Sequence, residues 1–365
     1  MKTISKKIIA LGILTMFALA GCGGGGSDSV SSTSDAGTQT QEKVVLKMAS
    51  AFPATLQLIG TNGIKLSDTI KQVSNGTLEL KFFEPGALVP GLEAIPAASK
   101  GSVDVAYSTA GFFAGTDLAF SFFTSVPFGA AADELLAWLD YGGGNEIADE
   151  MFGAHNIKPI PCFITPPEAS GWFRKEIKSV SDLKGLKMRF FGLGAKVMDK
   201  LGVATQLLAP GDIFQALQLG TIDATEFSTP SADESFGFYQ VAKHYYFPGW
   251  HQATAMGNLF FNLDVWNSLS DYHKSLIQVT CKAQLANMIA EGEATQAPAM
   301  RNMRDKHGVQ IHYWSDDILN AYRKAWGEVV EEESASNANF KKVYDSYSKF
   351  RDEYKLWGDN GYLKR

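Results

Sequence analysis

The sequence predicts an α/β protein built of two lobes, and three observations lead to this prediction. The length of 365 residues is sufficient for two domains at roughly 150 residues each. Strand-like and helix-like patterns alternate through the first part of the chain and start again near residue 171. Hydrophobic residues make up 45% and charged residues 20%, which is the composition of a globular protein rather than of a disordered chain.

The first lobe is expected over residues 44–164. Ile64, Leu66, Ile70 and Val73 have helical spacing, and the pair Asn75-Gly76 is a turn signal that ends this helix. Strand patterns lie on both sides of it, and this order predicts a parallel sheet. The predicted strands are 44–48, 78–83, 104–108 and 157–163, and the predicted helices are 60–73, 92–99, 130–139 and 146–152.

The second lobe is expected over residues 165–255, where the same alternation repeats. A new block begins at Gly171. Pro210 and Asp212 stand in front of the clearest helical pattern and are helix-start signals. The predicted strands of this lobe are 186–190 and 224–227, and its predicted helices are 195–201 and 213–219.

The remaining residues, 256–365, are expected to cross back and connect the lobes. A strand at 258–262 returns toward the first lobe, and a long helical pattern at 270–306 follows it. A strand at 309–313 and helices at about 316–334 and 338–357 complete the chain. Two α/β lobes joined by crossing strands and long helices are the architecture of a hinged binding protein, with a ligand cleft between the lobes at the strand ends.

The N-terminus has the features of an export signal. Three lysines precede a short apolar run that ends at Ala20, which is too short to span a bilayer. Residues 19–22, Leu-Ala-Gly-Cys, match a bacterial lipobox, which predicts a signal peptide over 1–21 and lipidation of Cys22; the alternative is an ordinary secretory signal with a chance cysteine. Residues 22–43 are expected to form a flexible tether. The predicted location is therefore extracytoplasmic (periplasmic) and attached to a membrane by lipid.

Several classes of protein are excluded by composition and motifs. The formal net charge of −6 and the lack of long basic runs argue against nucleic-acid binding. The sequence has no GxSxG, HExxH or GxxxxGK[ST] motif, so an enzyme is not favoured. Beyond Cys22, two cysteines remain, Cys162 and Cys281, which either pair in an oxidising compartment or stay as buried thiols.

Three charged residues at strand ends or in loops are candidates for a binding site. Arg189 lies in an apolar strand, where its guanidinium needs an anion, either a ligand carboxylate or an internal acid. Glu226 ends another strand and is either a cap or surface residue or a ligand for a cation. Glu168 lies in a loop before the second lobe, where exposure to solvent is the default interpretation.

Six segments resemble the substrate-binding subunits of tripartite ATP-independent periplasmic (TRAP) transporters, and among them the branch that binds 2-oxo acids and related monocarboxylates. The resemblance extends from about residue 44 to beyond 330. The segments are 126–129 (VPFG), 141–144 (YGGG), 171–176 (GWFRKE), 182–189 (DLKGLKMR), 216–226 (ALQLGTIDATE) and 245–251 (YYFPGWH).

The resemblance implies a two-lobe periplasmic binding protein fold and a set of roles for single residues. Arg189 would hold the ligand carboxylate as a bidentate pair. A metal ion would bridge ligand and protein, with Glu168, Glu226 and the backbone carbonyl of Phe227 as its ligands. The implied partners are a small carboxylate solute and the membrane permease subunits of the transporter, and some members of the branch form homodimers through C-terminal helices.

Glu168 departs from the branch, which usually has Gln at this position together with a monovalent ion. Two glutamates and a ligand carboxylate against one arginine leave an excess of negative charge that a calcium ion would neutralise and a sodium ion would not. Calcium is therefore favoured over sodium. The alternative is that Glu168 accepts a hydrogen bond from a hydroxyl or ammonium group of the solute.

Four further residues are expected to form the walls of the cleft. Tyr107 and Phe112 follow the third predicted strand, and Trp250 and His251 are candidates for the opposite wall. The sequence thus predicts a solute-binding protein for a small 2-oxo or 2-hydroxy monocarboxylate and no enzymatic activity. A dicarboxylate- or amino-acid-binding protein of the same type, or a lipid-anchored enzyme, are the alternatives.

Overall fold

The computed structural model describes residues 43–363. The predicted signal peptide, the lipidation site Cys22 and the tether up to residue 42 lie outside the described residues. Within 43–363, each helix is either too short or too polar to pass through a lipid bilayer.

The first lobe alternates strands and helices as the sequence predicts. β1 pairs in parallel with both β2 and β3, which confirms the parallel arrangement for these three strands. The strands are β1 (Val44–Ser50), β2 (Leu78–Phe83), β3 (Val105–Ser108) and β4 (Ile157–Thr165), and the helices are α1 (Ile59–Val73), α2 (Ala94–Ser99), α3 (Ala132–Tyr141) and α4 (Gly144–Gly153).

The second lobe contains more short elements than the sequence predicts. β5, β7, β9 and α7 were not predicted, because each has at most seven residues and shows little periodicity. The strands are β5 (Gly171–Phe173), β6 (Lys187–Arg189), β7 (Ala204–Gln206), β8 (Ala224–Thr225) and β9 (His244–Phe247), and the helices are α5 (Gly192–Lys200), α6 (Ile213–Leu219) and α7 (Pro230–Phe236).

The last part of the chain returns to both lobes. β11 adds to the edge of the second sheet beside β9, and α10 packs on α5. The elements are β10 (Ala255–Asn262), α8 (Leu263–Ser268), α9 (Asp271–His307), β11 (Gln310–Tyr313), α10 (Asp316–Ser336) and α11 (Ala338–Gly361).

β10 is the crossing strand, and it changes the predicted sheet. The strand order of the first sheet is β2-β1-β3-β10-β4, and β10 runs antiparallel to both of its neighbours. The first sheet is therefore mixed rather than wholly parallel, because its fourth strand enters from the second lobe. All eight residues of β10 are buried. The second sheet has the order β11-β9-β5-β8-β6-β7.

α9 is a helix of 37 residues that contacts both lobes, packing against β4 and α1 of the first lobe and α7 of the second. A disulfide between Cys162 of β4 and Cys281 of α9 joins the helix to the first sheet, so the pairing alternative holds. Further along α9, a side chain at Gly292 would place its Cβ 2.7 Å from Cδ of Pro166. The glycine therefore lets the chain that enters the second lobe pass directly over the helix.

Candidate functional site

A small cavity lies where strand ends of the two sheets meet. Its volume is about 40 Å³. The first sheet contributes residues that follow β1 and β3 or end β4, and the second contributes residues that end β6 or follow β8, as expected for a cleft at the carboxyl ends of strands. The lining residues are Phe52, Ile59, Thr109, Phe112, Thr124, Phe163, Thr165, Glu168, Arg189, Phe191, Phe227, Ser228, Gln252 and Ala255.

Arg189, the last residue of β6, is the only lysine or arginine in this lining and is 2% exposed. Its Nη1 donates to Oε1 of Glu226 at 2.5 Å and to the Glu226 carbonyl at 2.9 Å. Its Nε has no hydrogen-bond partner among the described residues. The sequence left open whether Arg189 meets an internal acid or a ligand; the structure shows the internal acid and leaves Nε of the guanidinium unpaired within the described residues.

Glu168 is buried rather than exposed to solvent, in contrast to the default expectation for its loop. Its Oε1 accepts hydrogen bonds from Ser228 at 3.2 Å and from Thr165 at 3.5 Å, whereas Oε2 has no partner in the described part of the chain. Burial, together with the nearby negative charge of Glu226, raises the pKa of Glu168 well above its usual value. The backbone reaches this depth because Gly249 leaves room for the Glu168 carbonyl, which a Cβ would meet at 2.1 Å.

His251 lies near the carboxylate oxygen of Glu226 that Arg189 does not contact. Its Nε2 lies 3.5 Å from Oε2 of Glu226, and neither ring nitrogen has a hydrogen-bond partner within residues 43–363. One ligand atom each from Glu168, Glu226 and His251 lie within 4.8 Å of one another. A buried group of two carboxylates and an imidazole with unsatisfied atoms has the donor set of a metal site, so these residues fit a bound cation.

Asp233 is a third buried carboxylate at the site, and sequence reasoning did not identify it. It accepts hydrogen bonds from the indole of Trp172 and the hydroxyl of Tyr245, each at 2.8 Å, and from the backbone N–H of Ser228 at 3.1 Å. Burial raises the pKa of Asp233 to about 7, although these hydrogen bonds oppose the rise. Asp233 fixes Ser228, which in turn donates to Glu168. Asp233 lies in α7, and because this helix was not predicted, the sequence offered no signal for Asp233.

Four wall residues were proposed from the sequence, and the structure separates them. Phe112 lines the cavity, and His251 lies behind Glu226. Tyr107 and Trp250 are placed elsewhere. Tyr107 is fully buried and donates its hydroxyl to the Ile59 carbonyl at 2.9 Å, and Trp250 stacks on Tyr322 with ring centroids 4.4 Å apart. Both are core residues, because their rings fill space behind the residues that face the cavity.

The family to which the chain belongs follows from a match that covers most of its length. A family model described as bacterial extracellular solute-binding protein, family 7, matches residues 50–337. This chain belongs to that family. The family comprises transport proteins that bind solutes rather than enzymes, and the predicted fold class and the resemblance to TRAP solute-binding proteins are confirmed.

Relatives of this family 7 protein cover most of its length. The monocarboxylate 2-oxoacid-binding periplasmic protein of a Nostoc species is 35% identical over 313 residues, which is 85% of each chain. The solved structure of a TRAP transporter solute-binding protein from Bordetella bronchiseptica is 33% identical, has a TM-score of 0.85 and covers 88% of this chain and 95% of its own. It is described as a dimer of mixed occupancy, with copurified calcium and picolinate in one active site and an apo site in the other.

Two further structures of TRAP solute-binding proteins differ in the ion they contain. The one from Colwellia psychrerythraea, with bound calcium and pyruvate, is 28% identical with a TM-score of 0.83. The one from Pseudoalteromonas atlantica, with bound sodium and pyruvate, is 27% identical with a TM-score of 0.83. The matches cover 87% of this family 7 protein and 96% of each structure.

Proposed function

We propose that this protein captures a small monocarboxylate of the 2-oxo or 2-hydroxy acid class together with a metal ion, and delivers it to the membrane permease of a TRAP transporter. The observation that carries the proposal is the buried group of Arg189, Glu168 and Glu226, in which one guanidinium donor and one oxygen of each carboxylate remain unsatisfied. Because unsatisfied buried polar atoms are costly, this arrangement is suited to an incoming anion and cation.

The residues have distinct proposed roles. Arg189 anchors the solute carboxylate with its guanidinium, which lies 5.6 Å from the centre of the Phe227 ring. Glu168, Glu226 and the Phe227 carbonyl hold the ion, which when bound supplies positive charge between the protein and the solute. His251 does not line the cavity, so its proposed role changes from solute contact to support of Glu226 or direct binding of the ion.

Charge favours a divalent ion. Three carboxylates are buried at this site, those of Glu168, Glu226 and Asp233, and among the described residues of the site only the Arg189 guanidinium opposes their charge. A bound carboxylate adds another negative charge, and a calcium ion offsets more of the total than a sodium ion does. Unbalanced buried charge is expensive, and hard oxygen ligands suit calcium. Calcium therefore remains our proposal over sodium; Asp233, whose pKa is raised to about 7, adds less than a full negative charge at neutral pH.

The lining also bears on the choice of solute. A dicarboxylate needs a second cation, and Arg189 is the only one that the cavity presents, which supports a monocarboxylate. Glu168 supports a second candidate, an amino acid or hydroxy acid, because its free Oε2 could accept a hydrogen bond from an ammonium or hydroxyl group of the solute. A lipid-anchored enzyme receives no support from the arrangement.

The proposal is tested by calorimetry on protein stripped of metal. Pyruvate, lactate, alanine and succinate are titrated in the presence of calcium, sodium or neither. We expect pyruvate or lactate to bind, with the higher affinity in calcium. Binding of alanine alone would support the amino-acid alternative, and binding of succinate alone would support the dicarboxylate. If none of the four binds, the proposed function is wrong.

Two proposals concern location and assembly. Lipidation of Cys22 and residence in the periplasm are inferred from the N-terminal sequence, and mass spectrometry of the protein isolated from membranes tests them.

A homodimer is supported by exposed apolar residues at the end of α11, where Leu356 is 78% and Trp357 60% exposed. Light scattering of the wild type and of Trp357→Ala tests it, with a monomeric wild type as the contrary result.

A further inference from the structure

An aromatic wall runs across the cavity from one lobe to the other. Phe52 follows β1, and its ring centre lies 5.8 Å from that of Phe112, in the turn after β3. Phe112 in turn meets Phe191 edge-on, with centroids 5.1 Å apart and ring planes at 83°. Phe191 follows β6 in the second lobe, so this contact joins the two lobes over the cavity.

Phe191 is seated in a space that only glycine provides. A Cβ on Gly111 would lie 2.2 Å from Cζ of Phe191. The φ angle of Gly111 does not lie in the left-handed region, so the requirement at this position is for room rather than for backbone freedom. The turn of the first lobe therefore has no side chain at the point where the ring from the second lobe rests.

The extended backbone that continues beyond β6 directs Phe191 to the same side as Arg189. Phe190, between them, packs on the opposite side against Trp250 and His251, as expected when successive side chains point to opposite faces. The guanidinium carbon of Arg189 lies 5.9 Å from the centre of the Phe191 ring. A solute held at Arg189 by its carboxylate thus has the aromatic wall within the length of a few carbon atoms.

We propose that Phe191, seated on Gly111 and packed against Phe112, is a specificity-determining residue that restricts the solute to monocarboxylates with a short side chain. This inference rests on the proposed function. A cavity of about 40 Å³ has room for roughly three water molecules at ~10–15 Å³ each. Because the wall forms only when the lobes meet, a solute with a longer side chain displaces Phe191 and opposes closure.

The test compares affinities by calorimetry, in calcium, along a series of straight-chain 2-oxo acids that begins with pyruvate. Wild-type protein is expected to bind pyruvate best, with affinity falling as the chain lengthens. Phe191→Ala should shift the relative affinity toward the longer acids by about tenfold or more, the scale of a methylene group in an apolar pocket. Gly111→Ala should weaken all members by roughly tenfold, because an overpacked contact hinders closure. Gly115→Ala is the matched control, because a Cβ there meets nothing within 4 Å, and it should bind as the wild type does.

The outcomes separate the two proposals. If Phe191→Ala keeps the wild-type order of affinities, or if the wild type prefers the longer acids, the specificity role is wrong while the proposed function stands. If the wild type binds no member of the series, the proposed function itself fails. Thermal melting shows whether Phe191→Ala is folded, and should it melt far below the wild type, Phe191→Leu carries the same comparison with a smaller change of volume.

Discussion

Arg189 and Glu226 form an ion pair inside the protein, with Nη1 and Oε1 2.5 Å apart and side chains that are 2% and 0% exposed. The pair joins the ends of β6 and β8, which are neighbours in the second sheet. A buried pair of this kind is weak evidence for stability, because desolvation of both charges opposes their attraction. Its unused guanidinium donor makes the pair more informative about binding than about folding.

Replacement of Arg189 tests the anchor. Arg189→Ala is expected to weaken binding of the solute by about 2–5 kcal/mol, the cost of truncating one partner of a buried charge pair. Arg189→Lys keeps the charge but loses the bidentate fork, and an intermediate loss is expected. Calorimetry provides the affinities, and Arg304→Ala, at an exposed position of α9, is the control. Unchanged affinity in Arg189→Ala would remove this residue from the site.

The choice of ion depends on the charge of Glu168. Glu168→Gln keeps a carbonyl oxygen at the site and removes one negative charge, so the preference should move from calcium toward sodium. Metal analysis and titration of the solute in each ion measure this preference. Glu293→Gln, on the exposed face of α9, changes the total charge by the same amount and should have no effect. An unaltered preference in Glu168→Gln would contradict the charge argument.

Gly249 allows the backbone of Glu168 to lie deep inside the protein. A Cβ there would lie 2.1 Å from the Glu168 carbonyl, so Gly249→Ala should displace the Glu168 backbone, and with it the Glu168 carboxylate, and lower both solute affinity and thermal stability. Gly327→Ala is the matched control, because the added methyl meets nothing within 4 Å. In this helical, exposed position alanine is expected to stabilise by roughly 0.5–1 kcal/mol. Normal binding by folded Gly249→Ala would show that the approach is not required.

The disulfide closes a long loop between β4 and α9. Cys162 and Cys281 are separated by 119 residues, and loss of the bond through the double variant Cys162→Ser/Cys281→Ser should lower the free energy of unfolding by about 2–5 kcal/mol. Chemical denaturation measures the change. A wild type that is equally stable with and without reductant, with full reduction shown by thiol titration, would contradict the prediction.

The lowered pKa of Asp117 leads us to expect that the stability of the protein depends on pH. Burial alone would raise the pKa of Asp117, but hydrogen bonds from Asn337, Asn339 and the N–H of Ala119 lower it below its usual value of 3.8. The folded state therefore binds the proton less tightly than the unfolded state. This contribution is present above the usual pKa and is lost as pH falls through the lowered value. Asp117→Asn should be less stable than the wild type at neutral pH, and the difference should shrink below about pH 4. Denaturation curves at both pH values test this, and a difference independent of pH would refute it.

The long elements were predictable from the sequence, and several short ones were not. The periodicity of α1, α6 and α9 gave bounds within one or two residues of those observed, because a buried face repeats over several turns. β7, β9 and α7 lack such repetition, and their positions are set by contacts with distant residues.

Local sequence patterns also limited how many residues of the binding site could be predicted. Arg189, Glu168 and Glu226 stood out as charges among apolar or loop residues, and the structure brings them together. Asp233 could not be found because its partner Trp172 is 61 positions away. Tyr107 and Trp250 were assigned to the wall because an aromatic residue after a strand has the same local pattern whether it faces a cavity or lies behind one.

The position of β10 has a consequence for the order in which the protein acquires its structure. β4 has no strand neighbour in the first sheet other than β10, and β10 follows the whole of the second lobe in the chain. A nascent chain that has been synthesised only to Thr165 can pair β1, β2 and β3, but β4 has nothing to join. The first lobe can therefore be completed only after the second lobe has been synthesised. The pairing of β4 with β10 joins residues far apart in the chain, and such long-range pairing is slow. Both lobes of the binding site thus depend on this one pairing step.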